Sequence, residues 1–95
     1  MKIVWSPEAA DDLEQIFDFI AEENPRHAVA TYDRLMAQIE RLAEQPHIGR
    51  PGRVAGTREL VVTGTPYIIP YRVFKAYLQI IRIYHAARQW PDSFG

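Results

Sequence analysis

The sequence predicts an α+β domain in which a helix hairpin covers one face of a mainly antiparallel sheet. Two segments with helical periodicity follow one another near the N-terminus, and only a few residues separate them. Three strand-like runs fill most of the C-terminal half, and one short apolar run precedes the helices. The element order is therefore β-αα-βββ, and we expect residues 1–95 to form a single domain.

The chain opens with an apolar run, Lys2 to Trp5, that is typical of a β-strand. Ser6-Pro7 then marks a helix start, because serine can cap the free amides and proline is tolerated in the first turn. Apolar residues recur after it at helical spacing, at Leu13, Ile16, Phe17 and Ile20. Every charged side chain of this predicted helix is acidic.

Asn24-Pro25 repeats the same start signal, and the second helix is predicted to run to about Gln45, where Pro46 ends it. Its apolar stripe consists of Ala28, Tyr32, Leu35, Met36, Ile39, Leu42 and Ala43. Because the connection between the helices is so short, we expect an antiparallel hairpin. The helical spacing also predicts that Tyr32 and Met36 are core residues.

A loop rich in glycine and proline extends from Pro46 to Thr57. The three strand-like runs that follow are Arg58–Thr63, Tyr67–Phe74 and Tyr77–Tyr84. Pro70 lies within the second run and cannot donate a ladder hydrogen bond, so we expect a bulge or a locally unpaired stretch there. The tail from His85 to Gly95 is interpreted either as a short turn packed on the sheet or as a flexible end.

Several kinds of site are excluded by composition and spacing. The chain has no cysteine, and its histidines and carboxylates lack metal-ligand spacing, so we expect no metal and no other cofactor. No phosphate loop, nucleophile elbow or dinucleotide glycine pattern is present. No apolar segment has the length of a signal peptide or a membrane span, and we therefore expect a cytoplasmic protein.

Charge is divided unequally between the two halves of the chain. Residues 1–45 carry ten acidic and four basic side chains, whereas residues 46–95 carry two acidic and seven basic ones. Six of those seven cations are arginines, which suit forked recognition of phosphate or carboxylate groups. Both groups of charges can also be simple solvated surface. The asymmetry nevertheless favours a cationic working surface on the C-terminal half.

The open face of the sheet is the place where such a surface is expected. Alternation puts Arg82 on that face if Ile81 and Ile83 face the helices. The other candidate arginines lie in the preceding strand, in or beside the glycine-rich loop, and after the last strand. We therefore expect the arginines of this half to converge on one surface: Arg50, Arg53, Arg58, Arg72, Arg82 and Arg88. Four of them are predicted to contact the target: Arg58, Arg72, Arg82 and Arg88.

Motifs spread over nearly the whole chain resemble those of the RelE/ParE toxins in their order and spacing. They are Trp5–Leu13, Gly49–Arg53, Arg58–Leu60, Tyr67–Val73 and Ile80–His85. The resemblance implies the growth-inhibiting toxin of a type II toxin–antitoxin module, a class linked to plasmid stabilisation. It also implies a hetero-oligomer with a cognate antitoxin, ParD-like or RelB-like. RelE-like members of the family cleave mRNA on the ribosome, and ParE-like members inhibit DNA gyrase.

Two departures from the nuclease pattern favour the ParE branch. In RelE-like members an arginine typically follows the aromatic residue early in the middle strand, but here Ile68 follows Tyr67. A tyrosine typically stands six residues after the arginine that follows the last strand, but here Phe94, which has no hydroxyl, follows Arg88 at that spacing. We therefore predict a gyrase inhibitor that is not an enzyme, with target contacts at Arg58, Arg72, Arg82, Arg88 and Trp90.

Two alternatives stay open at the level of sequence. A ribosome-dependent mRNA endoribonuclease would use His85, Arg82 and Arg88 to stabilise phosphate charge and move protons. A plain interaction module would bind a partner without being toxic. In every version we expect an antitoxin helix along the helix hairpin. Its predicted contacts are Leu13, Phe17, Tyr32 and Met36.

Overall fold

A computed structural model describes residues 1–94 and shows two helices packed on one six-stranded sheet. Strand β1 (Lys2–Trp5) precedes helices α1 (Pro7–Ala21) and α2 (Pro25–Arg41). The later strands are β2 (Arg50–Pro51), β3 (Arg58–Val61), β4 (Tyr67–Val73), β5 (Tyr77–Ile80) and β6 (Tyr84–His85). The predicted α+β fold is confirmed, although the loop contains an additional short strand and the last predicted strand is divided in two.

Both helices begin where the sequence predicts. Ser6 Oγ accepts a hydrogen bond from the Ala9 backbone N–H, and Asn24 Oδ1 accepts one from the His27 N–H, each at 3.0 Å. Helix α2 ends at Arg41, before the predicted end near Gln45. The reason is that the N–H groups of residues 42–44 bond to carbonyls three residues back, which tightens the last turn.

The sheet is mixed, with the strand order β1-β5-β4-β3-β2 and with β6 paired to β4. Strand β1 runs parallel to β5, and all other described pairs are antiparallel. The helix-facing core joins apolar residues of the sheet to one side of α2. Its fully buried members include Leu35, Ile39, Leu42, Ile69, Tyr71, Leu78 and Ile80. Helix α1 lies further out and buries only Ala9 completely.

A one-residue bulge separates β5 from β6. Tyr71 pairs with Ile80, but on the other side of the interruption Ile68 pairs with Tyr84. Residues 69 and 70 of β4 therefore lie opposite three residues, 81–83, of the neighbouring segment. The extra residue lies opposite Pro70, so the predicted interruption at this proline is confirmed.

The bulge reverses the side-chain alternation that the sequence predicts for this segment. Ile80 and Ile83 belong to the helix-facing core, whereas Ile81 borders the open face. The expectation that Ile81 and Ile83 point the same way is therefore wrong. A shift of one residue moves each following side chain to the other face, and the inserted residue provides that shift.

The Asp12 carboxylate, from the second turn of α1, supplies the missing partners at the bulge. Its Oδ2 accepts hydrogen bonds from Arg82 Nε at 2.8 Å and from the Ile83 backbone N–H at 3.0 Å, and its Oδ1 accepts one from Arg82 Nη2 at 3.0 Å. Ser6 Oγ donates to the Ile81 carbonyl at 2.7 Å. The start of α1 thus satisfies backbone groups that the interrupted ladder leaves open.

Asp12→Ala should lower the free energy of unfolding by about 2–3 kcal/mol, because it removes charge-assisted hydrogen bonds to a partly buried guanidinium and a backbone N–H. Urea unfolding of the purified protein measures this. Asp11→Ala is the matched control, since Asp11 is exposed and precedes Asp12 on the same helix. Equal losses in the two variants would contradict a special role for Asp12.

Candidate functional site

The open face of the sheet carries a recess of about 820 Å³. Its walls come from β4, β5, the segment after the bulge and the C-terminal tail. The charged lining consists of Arg72, Arg82, Arg88 and Glu8, and the aromatic lining of Tyr84, Trp90 and Phe94. The tail, as far as residue 94, therefore packs against the sheet and forms one wall. The recess combines positive charge with an apolar surround.

The three arginines of the recess are held in different ways. Arg82 pairs with Asp12, and this hydrogen bond raises the pKa of Arg82 above its ordinary value, although burial acts in the opposite direction. Arg82 and Arg88 both lie over the Tyr84 ring, with guanidinium carbons 4.8 and 4.2 Å from its centroid. Among residues 1–94, neither Arg72 nor Arg88 forms an ion pair. As far as the described residues show, the Arg72 and Arg88 guanidinium groups thus have no carboxylate partner.

Trp90 fixes the tail against the recess. Its ring meets Tyr84 edge to face with centroids 5.0 Å apart, and the Arg53 guanidinium carbon lies 3.8 Å from its centroid. Its Nε1 is buried and has no hydrogen-bond partner within the described residues. A buried donor without an acceptor costs about 1–3 kcal/mol. The docked tail therefore contains one unsatisfied N–H beside the arginines.

A second ionic cluster adjoins the recess through Arg53. Glu59 is only 2% exposed, and its carboxylate accepts the Arg53 backbone N–H at 2.8 Å together with guanidinium hydrogen bonds from Arg53 and Arg50. Burial acts to raise the pKa of Glu59. The hydrogen bonds from Arg53 and Arg50 outweigh it and hold that pKa below its ordinary value of 4.5. Arg50 and Arg53 are thus structural partners of Glu59.

Arg58 does not reach the recess. It pairs with Tyr71 in the sheet register, which puts it on the helix-facing side. Its Nη1 donates to the Gly49 carbonyl at 2.8 Å and to the His47 carbonyl at 3.2 Å. The expectation that Arg58 shares one surface with the other three arginines is therefore wrong, because residues opposite each other in adjacent strands face the same side.

His85 also lies apart from the recess. It pairs with Tyr67 of the helix-facing core, and the two rings meet edge to face at 5.9 Å. Its Nδ1 accepts the Ala87 backbone N–H at 3.1 Å. The structure therefore brings Arg82 and Arg88 into the recess lining, whereas the His85 ring is outside it, although the Arg88 backbone N–H donates to the His85 carbonyl at 3.0 Å. Within residues 1–94, no group of side chains is arranged to hold a metal ion.

Glu8 is the one charged residue of the described recess lining that is not among the contacts predicted from the sequence. It stands in the first turn of α1 and lines the wall together with Ser6. A first-turn acid usually has a sufficient explanation in the helix dipole, so its position in the sequence carried no functional signal. Its place in the wall follows from the docking of α1 at the bulge.

The outer side of the helix hairpin presents a separate apolar groove of about 360 Å³. Leu13, Phe17 and Tyr32 line it, and the rings of Phe17 and Tyr32 meet edge to face at 6.3 Å. Tyr32 is 40% exposed, so its predicted core position is wrong; Thr31, which precedes it, is buried instead. Met36 is half-buried and lies outside the lining of the groove.

This architecture, a helix hairpin on a mixed and mostly antiparallel sheet, is that of toxins of the RelE/ParE type. Residues 3–90 match the family described as the ParE toxin of the type II toxin–antitoxin system, parDE. The chain belongs to this ParE toxin family. Membership implies a cognate antitoxin as its partner. No helix of the described chain is long and apolar enough to cross a membrane.

Relatives match along nearly the full chain. Y4kP of Sinorhizobium fredii, whose name marks it as an inferred toxin, is 40% identical over 91 residues, which cover 96% of this chain and 94% of that protein. Toxin RelE2 of Caulobacter vibrioides is 41% identical over 87 residues, which cover 92% of this chain and 97% of that protein. A solved chain of the chromosomal ParDE system from P. aeruginosa superposes with a TM-score of 0.81 at 31% identity, covering 90% of this chain and 95% of that one.

The ionised Glu59 predicts acid-sensitive folding. Because its pKa is lower in the folded than in the unfolded chain, its contribution is present above the unfolded value near 4.5 and is lost as pH falls through the lower folded value. Glu59→Gln should lower the free energy of unfolding by about 2 kcal/mol at neutral pH and remove this component of the acid dependence. Urea unfolding from about pH 7 down to about pH 3 measures both effects.

Glu44→Gln serves as the control for this experiment, because Glu44 is an exposed acid near the end of the helix hairpin. It should leave the pH profile unchanged. A Glu59→Gln profile that parallels those of the unsubstituted protein and the control would contradict the assignment of Glu59.

Proposed function

We propose that this toxin inhibits DNA gyrase by binding it at the recess, through Arg72, Arg88 and Trp90. The observation that carries the proposal is the availability of two guanidinium groups in an aromatic-walled recess. Arg82 contributes to the same wall, but its charge is already opposed by Asp12. A surface of this kind is equipped to hold an anionic or hydrogen-bonding partner.

Several observations support a binding role over RNA cleavage. Phosphodiester cleavage requires proton transfer by groups positioned around the scissile bond. His85 stands beside Tyr67 and away from Arg82 and Arg88. Phe94, which lines the recess, has no hydroxyl. Glu8 is the one carboxylate of the described lining, and a lone acid without a second proton-transfer group is a weak basis for catalysis.

The apolar groove of the helix hairpin is the proposed site of the antitoxin. An amphipathic helix would place apolar side chains against Leu13, Phe17 and Tyr32. Helix α1 carries five acidic and no basic side chains, so basic residues flanking the apolar face of the antitoxin would complement it. Met36 lies outside the groove lining and is left out of the proposed contact.

Purified toxin should inhibit supercoiling by gyrase, and the double variant Arg72→Gln, Arg88→Gln should need at least about tenfold more protein for the same inhibition. Lys75→Gln is the matched control, because Lys75 is an exposed cation on the turn between β4 and β5. Thermal unfolding checks that all variants fold.

Unchanged supercoiling at a stoichiometric excess of toxin would contradict the gyrase proposal. The ribosomal alternative is tested as well, because one relative carries the name RelE2. Codon-specific mRNA cleavage in a translation extract that is lost in Glu8→Gln or His85→Ala would establish that alternative. Normal growth during expression without antitoxin would favour a non-toxic interaction module.

Tyr32→Ala should weaken binding of the antitoxin by about thirtyfold or more, since a truncated aromatic anchor at the centre of an interface typically costs about 2 kcal/mol or more. Calorimetric titration with the antitoxin encoded beside the toxin measures the affinity. Phe19→Ala is the control, because Phe19 is 74% exposed and does not line the groove. Equal effects of the two variants would argue against a groove-centred interface.

A further inference from the structure

Three groups beside the recess can only donate hydrogen bonds. The guanidinium groups of Arg72 and Arg88 have no carboxylate partner within residues 1–94, and Trp90 Nε1 has no acceptor there. Guanidinium and indole N–H groups have no accepting capacity, so they cannot satisfy one another. The complement of such a set is an anion with two or more acceptor oxygens.

The apolar lining of the recess strengthens the binding of an anion by Arg72 and Arg88. Tyr84, Phe94 and Ile81 form apolar parts of the lining. Ion pairs gain strength where apolar walls lower the local dielectric. The recess volume of about 820 Å³ also leaves room for several residues of an extended peptide beside the charged groups.

The charge around the recess discriminates between a carboxylate and a nucleic acid. Glu8 stands in the wall, and the remaining acids of α1 continue from it along the helix while the helix has no basic residue. A polyanionic strand leaving the recess on this side would be repelled by Glu8 and by the exposed Asp11 on the same helix. A peptide that inserts a single carboxylate avoids most of that repulsion.

We propose that Arg72 and Arg88 clamp a single carboxylate, which an aspartate or glutamate side chain of a partner protein inserts into the recess. The Trp90 N–H, which has no acceptor within residues 1–94, is expected to turn toward that carboxylate. Arg82 stays paired with Asp12 and positions the Tyr84 ring under Arg88. The proposal rests on the proposed function, because it assigns the chemistry of contact to the same surface.

The two tryptophans of the chain make the site observable. In the full-length protein labelled with ¹⁵N, Trp5 and Trp90 give two indole N–H signals, which Trp5→Phe assigns. The probe is the capped peptide Gly-Glu-Gly, titrated at low ionic strength. The Trp90 signal is expected to move saturably downfield while the Trp5 signal stays in place. The matched peptide Gly-Gln-Gly is expected to bind at least about tenfold more weakly.

Substitutions of the two arginines test whether they bind the peptide carboxylate. Arg72→Gln and Arg88→Gln are each expected to weaken the peptide by about tenfold, and Lys75→Gln to leave its affinity unchanged. Thermal unfolding confirms that each variant is folded. Trp90→Phe removes the reporter, so its affinity is read from backbone amide shifts at Arg72 and is expected to fall only a few-fold.

Two results would overturn the proposal: no saturable Trp90 shift with the acidic peptide, or tighter binding of a short oligothymidylate at the same residues. The outcome for the gyrase proposal is separate from the outcome for the carboxylate site. If the peptide binds as described and gyrase is not inhibited, the carboxylate site stands and the gyrase target is rejected. If gyrase is inhibited but excess acidic peptide neither binds nor relieves the inhibition, the target stands and the clamp is rejected.

Discussion

The position of the recess depends on the hydrogen bonds that the Asp12 carboxylate accepts at the bulge. Pro70 cannot donate to the ladder, and the opposing segment accommodates it with one extra residue. Asp12 then accepts from Arg82 and from the Ile83 N–H, which fixes the bulged segment to the start of α1. The shift in alternation brings Tyr84 to the open face. The recess therefore exists because a helix acid stabilises an interrupted strand.

Two carboxylates divide the arginines of the C-terminal half by role. Glu59 engages Arg50 and Arg53, and Asp12 engages Arg82. Arg58 is occupied by backbone carbonyls on the other side of the sheet. The positive charge available to a partner is consequently smaller and more localised than the count of cations in this half indicates. Arg72 and Arg88 are the remaining arginines there, and both belong to the recess.

The first turns of α1 contribute residues to both the recess and the groove. Glu8 lines the recess, whereas Ala10, two residues further along, lines the apolar groove. Because residues two apart point to opposite sides of a helix, the groove and the recess lie on different sides of α1.

The sequence by itself determined the features that depend on neighbouring residues: the element order, the caps at Ser6 and Asn24, the interruption at Pro70 and the ordered motifs of the toxin family. Only the tertiary structure decided that Arg82 is paired and that Arg58 faces the helices. Those outcomes depend on strand register and on contacts such as Asp12 with Arg82, 70 residues apart. Helical and strand periodicities describe one element at a time, and they carry no information about a one-residue shift between strands.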